Sequence, residues 1–236
     1  MKSSNTELNS YFSCSSADCF SEDRFNKNFL NGIIDQVAYR HTSIQQRPDI
    51  LNAFYEMILT TNPSQIIEIG TYSGGLTLIL KDIIDLLDLN TNLYTYEVND
   101  TSLLKSHISE RNLKNIYSYN NNLFNYSNLS FSSDDAKNEI KNLIQQNGTT
   151  IVLCDGGYKQ CEFNLLSQYL KPNDIIMAHD YAPNSDYFEQ YMKNKIWNWH
   201  EIQDSDINNS CELYALDPYM SDEFLSVAWV CKKKRE

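Results

Sequence analysis

The sequence predicts an α/β protein with a doubly wound parallel sheet and helices on both faces. From residue 65 onward, short apolar runs alternate with segments whose apolar residues recur at helical spacing. Two of the runs, IVLCD (151–155) and DIIMAHD (174–180), are apolar on both faces, as buried parallel strands are. A turn rich in glycine follows the first run, so we expect a ligand where the strands end.

The part of the chain before the sheet is predicted to be an arm and two helices. Residues 1–24 are polar and rich in serine, which indicates a loose arm. From Arg24 to Tyr39 the apolar residues fall at helical spacing, and a second helix begins after Pro48, which suits a first-turn position. The predicted division therefore places the N-terminal arm and helices in residues 1–62 and the ligand-binding sheet domain in residues 63–236.

The elements of the sheet domain follow from hydrophobic spacing. The predicted strands are 65–69, 92–97, 115–119, 150–154 and 174–178. The predicted helices are, approximately, 76–89, 102–111, 134–146, 161–169 and 187–195. The last apolar run, LSVAWVCK (225–232), has the composition of a strand, and a terminal hairpin added to the edge of the sheet would explain it.

The stretch IIEIGTYSGG (66–75) places an acid, Glu68, two residues before the first glycine of the turn. Dinucleotide-binding turns follow Gly-x-Gly-x-x-Gly, and here the second glycine of that pattern is missing. A carboxylate near the turn would repel a pyrophosphate but would suit a ligand that carries an ammonium and a sulfonium. S-adenosylmethionine is such a ligand. The alternative is that Glu68 is a strand-end acid that accepts hydrogen bonds from loop amides.

A second acid, Glu97, ends the next predicted strand, 27 residues after Gly70. This separation is close to the length of one βαβ unit, so Glu97 is expected beside the glycine turn. A carboxylate at that position can accept hydrogen bonds from both hydroxyls of a ribose. Glu68, the glycines and Glu97 together predict a binding site for an adenosine cofactor.

These residues carry a family resemblance. Glu68–Gly75 with Glu97 looks like the first two motifs of class I S-adenosylmethionine-dependent methyltransferases. More narrowly, IQQRPDILNAFYEMILTTNPSQIIEIGTYSGG (44–75) resembles the cephalosporin hydroxylase family, also described as rhamnosyl O-methyltransferase-like, in which an Ile-x-Gln-x-Pro segment and a helix precede the turn. That family usually continues Gly-Gly-Ser, where this chain has Leu76. The resemblance covers roughly residues 40–182.

The resemblance implies a Rossmann-like seven-stranded sheet whose last strand runs antiparallel. It also implies an adenine contact just after the third strand, where Asn122 occupies a position often held by Asp, and an amide can still accept the adenine amino group. The residues expected to bind the cofactor are Glu68, Gly70, Thr71, Tyr72, Ser73, Gly75, Glu97, Asn122 and Asp155.

Two predicted strands end in groups that bind metals. Asp155 follows one strand and the pair His179–Asp180 follows another, so the three side chains are expected to converge in the crevice. In the resembled families, including catechol-type O-methyltransferases, an acid and an acidic pair at these positions hold a divalent ion such as Mg²⁺ or Mn²⁺. A nitrogen ligand suits Mn²⁺, Fe²⁺ or Zn²⁺ better than Mg²⁺. Alternatively, Asp155 contacts only the cofactor or loop amides, and His179 is a crevice side chain or a general base.

Lys159 is a second candidate for the base. In catechol-type enzymes a lysine three residues after the corresponding acid deprotonates the acceptor hydroxyl, and here the separation from Asp155 is four residues. A surface lysine at a helix start is the alternative. The predicted reaction is an in-line methyl transfer from sulfonium to oxygen. Aromatic residues that could form the walls of a substrate pocket are Tyr72, Tyr158, Tyr181, Tyr187, Trp197 and Trp199.

Composition limits the partners. The net charge of −12 and pI near 4.7 argue against nucleic acid, and the basic run Lys232–Arg235 is interpreted as a solvated tail. The first 24 residues lack the features of a signal peptide, and no run approaches the ~18 apolar residues of a membrane span. We therefore expect a cytoplasmic protein, and the resemblance implies that it acts on a small molecule or sugar. Homo-oligomer formation stays open.

Other functions are weighed against O-methyl transfer. The hydroxylase in the family name would need a redox cofactor or an iron site with two histidines and a carboxylate, and the four histidines show no such pattern. A non-catalytic S-adenosylmethionine-binding protein would share the motifs without the chemistry. A nicotinamide enzyme is disfavoured by Glu68 and the missing glycine.

Overall fold

The computed structural model of the protein describes residues 4–14 and 37–236. The helix predicted from Arg24 onward lies outside the described residues up to position 36, and its last three positions form a strand instead. Residues 4–14 of the predicted loose arm contain a short helix and a strand.

The elements are numbered in chain order over the described residues. The helices are α1 Ser4–Asn9, α2 Ile50–Thr61, α3 Gly75–Leu86, α4 Ser102–Glu110, α5 Asp134–Ile144, α6 Lys159–Ser167, α7 Ser185–Tyr187 with a π-helical continuation Phe188–Met192, α8 Asp204–Leu213 and α9 Ser221–Leu225. The strands are β1 Phe12–Cys14, β2 Val37–Tyr39, β3 Thr42–Ser43, β4 Gln65–Ile69, β5 Asn92–Glu97, β6 Ile116–Asn120, β7 Phe124–Asn125, β8 Ser130–Phe131, β9 Thr150–Cys154, β10 Ile175–Ala178, β11 Leu216–Pro218 and β12 Val230–Lys234.

Seven of the described strands form one sheet in the order β11-β12-β10-β9-β4-β5-β6. Neighbours from β10 to β6 pair in parallel. Strand β12 is antiparallel to both β10 and β11, so the last strand of the chain runs against all the others. The predicted doubly wound sheet, its seven strands and its reversed last strand are confirmed. Strands β11 and β12 pair antiparallel and extend the sheet beyond β10, as predicted for a terminal hairpin, but helix α9 lies between them in the chain.

The core lies on both faces of the sheet. All residues of the central strands β4 and β9 are buried, and successive side chains point to opposite faces. Ile66 packs with α2 and α3 in one apolar cluster, whereas Ile67 packs with α5 and α6 in the other. The carboxyl ends of β4, β5, β9 and β10 therefore meet at one edge, between two covered faces.

Three regions differ from the sequence predictions. Strands β1, β2 and β3 form a small antiparallel sheet before α2, with Phe12 opposite Tyr39. Helix α8 was not predicted, because it buries only Ile207 and Ser210 and thus lacks an apolar stripe. In the final run, Leu225 ends helix α9 and the strand begins only at Val230. Among the described residues, no helix combines the length and the apolar character required to span a membrane.

Candidate active site

A cavity of about 300 Å³ opens at the carboxyl ends of the parallel strands. Its walls come from the segment before α2 (residues 43–46), the glycine turn after β4, the loops after β5 and β6, the ends of β9 and β10, and Trp197 and Trp199. This is the crevice in which open α/β sheets bind their ligands.

The glycine turn is built for close approach. Gly70 has φ +91°, and a Cβ added to it would lie 2.1 Å from the backbone oxygen of Asp155, so only glycine fits between β4 and β9. A Cβ on Gly75 would lie 2.6 Å from the backbone oxygen of Ser43. The turn therefore brings the N-terminus of α3 against the cavity and against the segment before α2.

Glu97 lines the cavity at the end of β5, as predicted. Its Oε2 accepts a hydrogen bond from the backbone N–H of Tyr72 at 2.7 Å. Its Oε1 accepts from the backbone N–H groups of Val98 at 2.8 Å and Asn99 at 3.0 Å, and from the Asn99 side chain at 3.0 Å. The carboxylate is thus fixed by four donors. Oε2, with one donor, is the oxygen with more capacity for a ligand.

Glu68 lies outside the cavity wall, which corrects its predicted electrostatic role. It is fully buried, and its Oε2 accepts hydrogen bonds from the hydroxyls of Thr77 and Thr95, both at 2.6 Å. Its Oε1 has no hydrogen-bond partner among the described residues. Burial raises the pKa of Glu68 to about 8 against the effect of the two hydroxyls, with a smaller contribution from nearby acids. Near neutral pH the side chain is therefore largely uncharged and does not repel a pyrophosphate.

The other residues predicted to bind the cofactor divide in two groups. Those that line the cavity are Gly70, Thr71, Tyr72, Gly75, Asn122 and Asp155. Ser73 and Glu68 lie outside its lining, and Glu68 is a fully buried residue of β4. Leu76, where the resembled family has Ser, also lines the cavity.

The side chains of Asp155, His179 and Asp180, called the acidic cluster from here on, converge as predicted. Their candidate ligand atoms all lie within 4.8 Å of one another. His179 Nδ1 lies 3.1 Å from Asp155 Oδ1 and 3.5 Å from Asp180 Oδ1. Burial lowers the pKa of His179, but the charges of Asp180 and Asp155 outweigh burial, and the pKa is raised.

Lys159 begins α6 and reaches the acidic cluster. It is buried, and its Nζ lies 3.1 Å from Asp180 Oδ2 and 2.9 Å from Glu201 Oε2. Burial lowers the pKa of Lys159, but the charges of Asp155 and Asp180 and the hydrogen bond to Glu201 raise it above its ordinary value. The structure therefore contradicts the alternative of a surface lysine at a helix start. The raised pKa disfavours Lys159 as the acceptor of a proton near neutral pH.

Three residues around the acidic cluster were not predicted from the sequence. Gln46 donates through Nε2 to Asp155 Oδ2 at 2.9 Å and accepts through Oε1 from Trp229 Nε1 at 2.9 Å. Gln46 belongs to the Ile-x-Gln-x-Pro segment, and that motif could have indicated a role for it. Nothing in the spacing indicates Glu201 or Trp229.

The predicted aromatic walls are partly present. Tyr72, Trp197 and Trp199 line the cavity, and so does Tyr126, which was not predicted. The remaining three candidates, Tyr158, Tyr181 and Tyr187, lie outside the lining. Tyr181, for example, is buried and donates from its hydroxyl to Asp204 Oδ1 at 2.7 Å.

No protein-family model matches the sequence, and no curated protein matches it. Solved structures do match. An apo structure of CmcI-N160 aligns over 86% of this chain and 77% of its own, with a TM-score of 0.60 and 12% identity. A Mg-SAM structure of CmcI-D160 aligns over 83% of this chain and 75% of its own, with a TM-score of 0.54 and 14% identity.

A third structure, the O-methyltransferase from Bacillus cereus in complex with SAH, aligns over 91% of this chain and 90% of its own, with a TM-score of 0.50 and 12% identity. The chain has the class I methyltransferase fold. In this methyltransferase fold the cavity described above lies at the carboxyl ends of the strands. At these identities the likeness concerns the fold, and the chemistry has to be argued from the residues of this chain.

Proposed function

We propose that this chain is an S-adenosylmethionine-dependent O-methyltransferase that acts on a hydroxyl of a small molecule or sugar. The observation that carries the proposal is the cavity at the strand ends, which the glycine turn and the carboxylate of Glu97 line together. Strand β12, which runs antiparallel between β10 and β11, adds an argument from topology. Dinucleotide-binding sheets have the strand order 3-2-1-4-5-6 without such a reversed strand. The topology therefore favours a methyltransferase over a nicotinamide enzyme, and the glycine pattern agrees with that choice.

The cofactor is expected to occupy the side of the cavity formed by the glycine turn and Glu97. In this proposal Glu97 accepts a ribose hydroxyl through Oε2, because Oε1 already has three donors. Asn122, exposed in the cavity wall after β6, contacts the adenine. Gly70 and Gly75 let the ligand approach the backbone at the start of α3.

The acceptor is expected on the other side, between the acidic cluster and Trp199. Methyl transfer forms a carbon–oxygen bond and breaks the carbon–sulfur bond, whose electron pair stays on sulfur to give S-adenosylhomocysteine, while the hydroxyl proton passes to a base. We assign the base to His179. Asp155 holds its Nδ1, and its Nε2 has no hydrogen-bond partner within the described part of the chain. Holding the acceptor oxygen in line with the sulfonium supplies much of the rate.

The fold family implies a divalent ion, for which the acidic cluster is the candidate site. The donor set, one imidazole and two carboxylates, is suitable in kind. However, each oxygen of the two carboxylates already faces an N–H group or the Lys159 ammonium. Of the ligand atoms in the cluster, His179 Nε2 alone has no partner among the described residues, and one open nitrogen does not make a site for a divalent ion. No step of the mechanism is assigned to an ion.

The hydroxylase alternative is not supported by the site. Its iron centre would combine two histidines with one carboxylate, whereas the acidic cluster combines one histidine with two carboxylates. A non-catalytic S-adenosylmethionine-binding protein would use the same cavity, and activity assays separate it from the enzyme.

Calorimetry of the purified protein with S-adenosylmethionine, S-adenosylhomocysteine and NAD tests the cofactor. We expect the first two to bind and NAD not to bind, and binding of NAD alone would refute the proposal. Release of S-adenosylhomocysteine in the presence of a panel of phenols, catechols and sugars then tests catalysis. Retained binding with no turnover on any acceptor, including a cell extract, would favour the binding protein.

A further inference from the structure

The acidic cluster already contains a cation, the ammonium of Lys159. Its Nζ lies 3.1 Å from Asp180 Oδ2 and 3.9 Å from Asp155 Oδ1. It also lies 2.9 Å from Glu201 Oε2 and donates to the carbonyl oxygen of Gly156 at 3.1 Å. The two carboxylates of the cluster therefore share a positive charge that belongs to the chain itself.

This ammonium is held in place. A lysine ammonium has three N–H donors, and three acceptors, on Asp180, Glu201 and Gly156, lie within 3.1 Å of Nζ. The side chain is 7% exposed, and Lys159 is the first residue of α6. Lys159 also lines the cavity. It is thus a fixed charge at the acceptor side of the site.

Each of the four carboxylate oxygens of the cluster faces one nitrogen atom of the protein. A site prepared for an ion would leave some of these oxygens without a partner in the ion-free chain. The four pairs of facing atoms are Asp155 Oδ1 with His179 Nδ1 at 3.1 Å, Asp155 Oδ2 with Gln46 Nε2 at 2.9 Å, Asp180 Oδ1 with Trp197 Nε1 at 2.5 Å, and Asp180 Oδ2 with Lys159 Nζ at 3.1 Å.

We propose that the Lys159 ammonium is the resident cation of the acidic cluster, and that this site works without a divalent metal ion. An ion that took its ligands from Asp155 and Asp180 would lie beside the ammonium, where like charges repel each other in a buried site. The fixed ammonium faces the acceptor oxygen as negative charge develops on it, which is the electrostatic role of an oxyanion-stabilising group. This second role rests on the proposed function, whereas the exclusion of the ion rests on geometry and charge alone.

Binding of Mn²⁺ tests the proposal, because Mn²⁺ is read directly by electron paramagnetic resonance and calorimetry. The wild-type chain is expected to show no saturable Mn²⁺ binding at the cluster. Lys159→Met removes the charge while keeping the apolar stem, so the unbalanced carboxylates should gain a Mn²⁺ site that is at least about tenfold tighter than any wild-type binding. The double variant with Asp180→Asn should lose the gained site.

Lys193→Met is the matched control, since Lys193 is exposed and pairs only with Glu189 among the described residues. Lys193→Met, like the wild type, should show no saturable Mn²⁺ binding at the cluster. Two results would overturn the proposal: stoichiometric Mn²⁺ binding to the wild type that Asp180→Asn abolishes, or a folded Lys159→Met chain that gains no Mn²⁺ site. If Lys159→Met does not fold, Lys159→Gln, which retains hydrogen bonding, takes its place, and the wild-type titration still decides.

The same samples separate this inference from the proposed function. S-adenosylmethionine binding is measured by calorimetry on each variant before Mn²⁺ is added. Absent cofactor binding would refute the methyltransferase while the Mn²⁺ result stands on its own. Conversely, a wild-type metal site with normal cofactor binding would refute only the role of Lys159.

Discussion

Replacing Glu68 by Gln should change how the stability of the protein depends on pH. The folded-state pKa of Glu68 is raised from 4.5 to about 8, so the folded protein holds the proton more tightly than the unfolded chain does. The stability associated with the neutral side chain is therefore fully present below pH 4.5 and is lost as the pH rises through about 8. Glu68→Gln keeps an acceptor for Thr77 and Thr95 but cannot ionise.

The magnitude follows from the two pKa values. The difference between 4.5 and about 8 is 3.5 pH units, which at about 1.4 kcal/mol for each unit sets a ceiling of about 5 kcal/mol on the cost of ionising Glu68. Between pH 5 and pH 9 the wild type should lose about 4 kcal/mol of unfolding free energy relative to the variant. Full burial of the side chain leaves little solvent screening of this cost.

Urea unfolding of both proteins at several pH values between 5 and 9 measures this difference directly. Groups that do not interact with Glu68 contribute equally to both curves and cancel in the comparison. Glu56→Gln, at an exposed position on α2, should run parallel to the wild type. If Glu68→Gln also runs parallel to the wild type over this range, the carboxyl is not held neutral by burial, and the reasoning fails.

Three further changes probe the cavity. Glu97→Gln replaces the carboxylate that the backbone N–H groups of Tyr72 and Val98 hold. Calorimetry should show that S-adenosylmethionine binds about 10- to 100-fold more weakly to this variant. Unchanged affinity would show that Glu97 does not contact the ribose. Gln46→Ala removes a donor to Asp155 and should lower kcat at least about tenfold with cofactor affinity unchanged, whereas equal loss of both would indicate a general structural defect. Gly70→Ala should lower the unfolding free energy by about 2 kcal/mol or more, and an unchanged Tm would contradict the close approach.

The sheet could be predicted because its strands are short apolar runs between turn residues. Strands β5 and β9 begin and end where the sequence places them, since each apolar run is bounded by polar residues. Helix α8 was not predicted because surface helices with few buried residues lack hydrophobic periodicity. The small sheet of β1, β2 and β3 was not predicted because strands of two or three residues are too short to show an alternation of apolar and polar residues.

The site could be predicted as far as strand ends determine it. Asp155, His179 and Asp180 converge because parallel strands end at one edge. The sequence could not tell that Glu68 lies beneath the turn, because a residue in a buried strand gives no sign of which polar neighbours it meets. The environment of Lys159 was hidden for a similar reason: its partner Glu201 lies 42 positions away in an irregular segment.

The contact between Trp229 and Gln46 joins the C-terminal strand to the segment before α2, beside the acidic cluster. Trp229 immediately precedes β12, and its indole N–H holds the same amide that donates to Asp155. A slip of the final strand by one residue would turn Trp229 to the opposite face of the sheet and withdraw that support. The C-terminal strand thus supports Asp155 of the acidic cluster through Trp229 and Gln46. Shortening this strand should impair turnover before it abolishes cofactor binding.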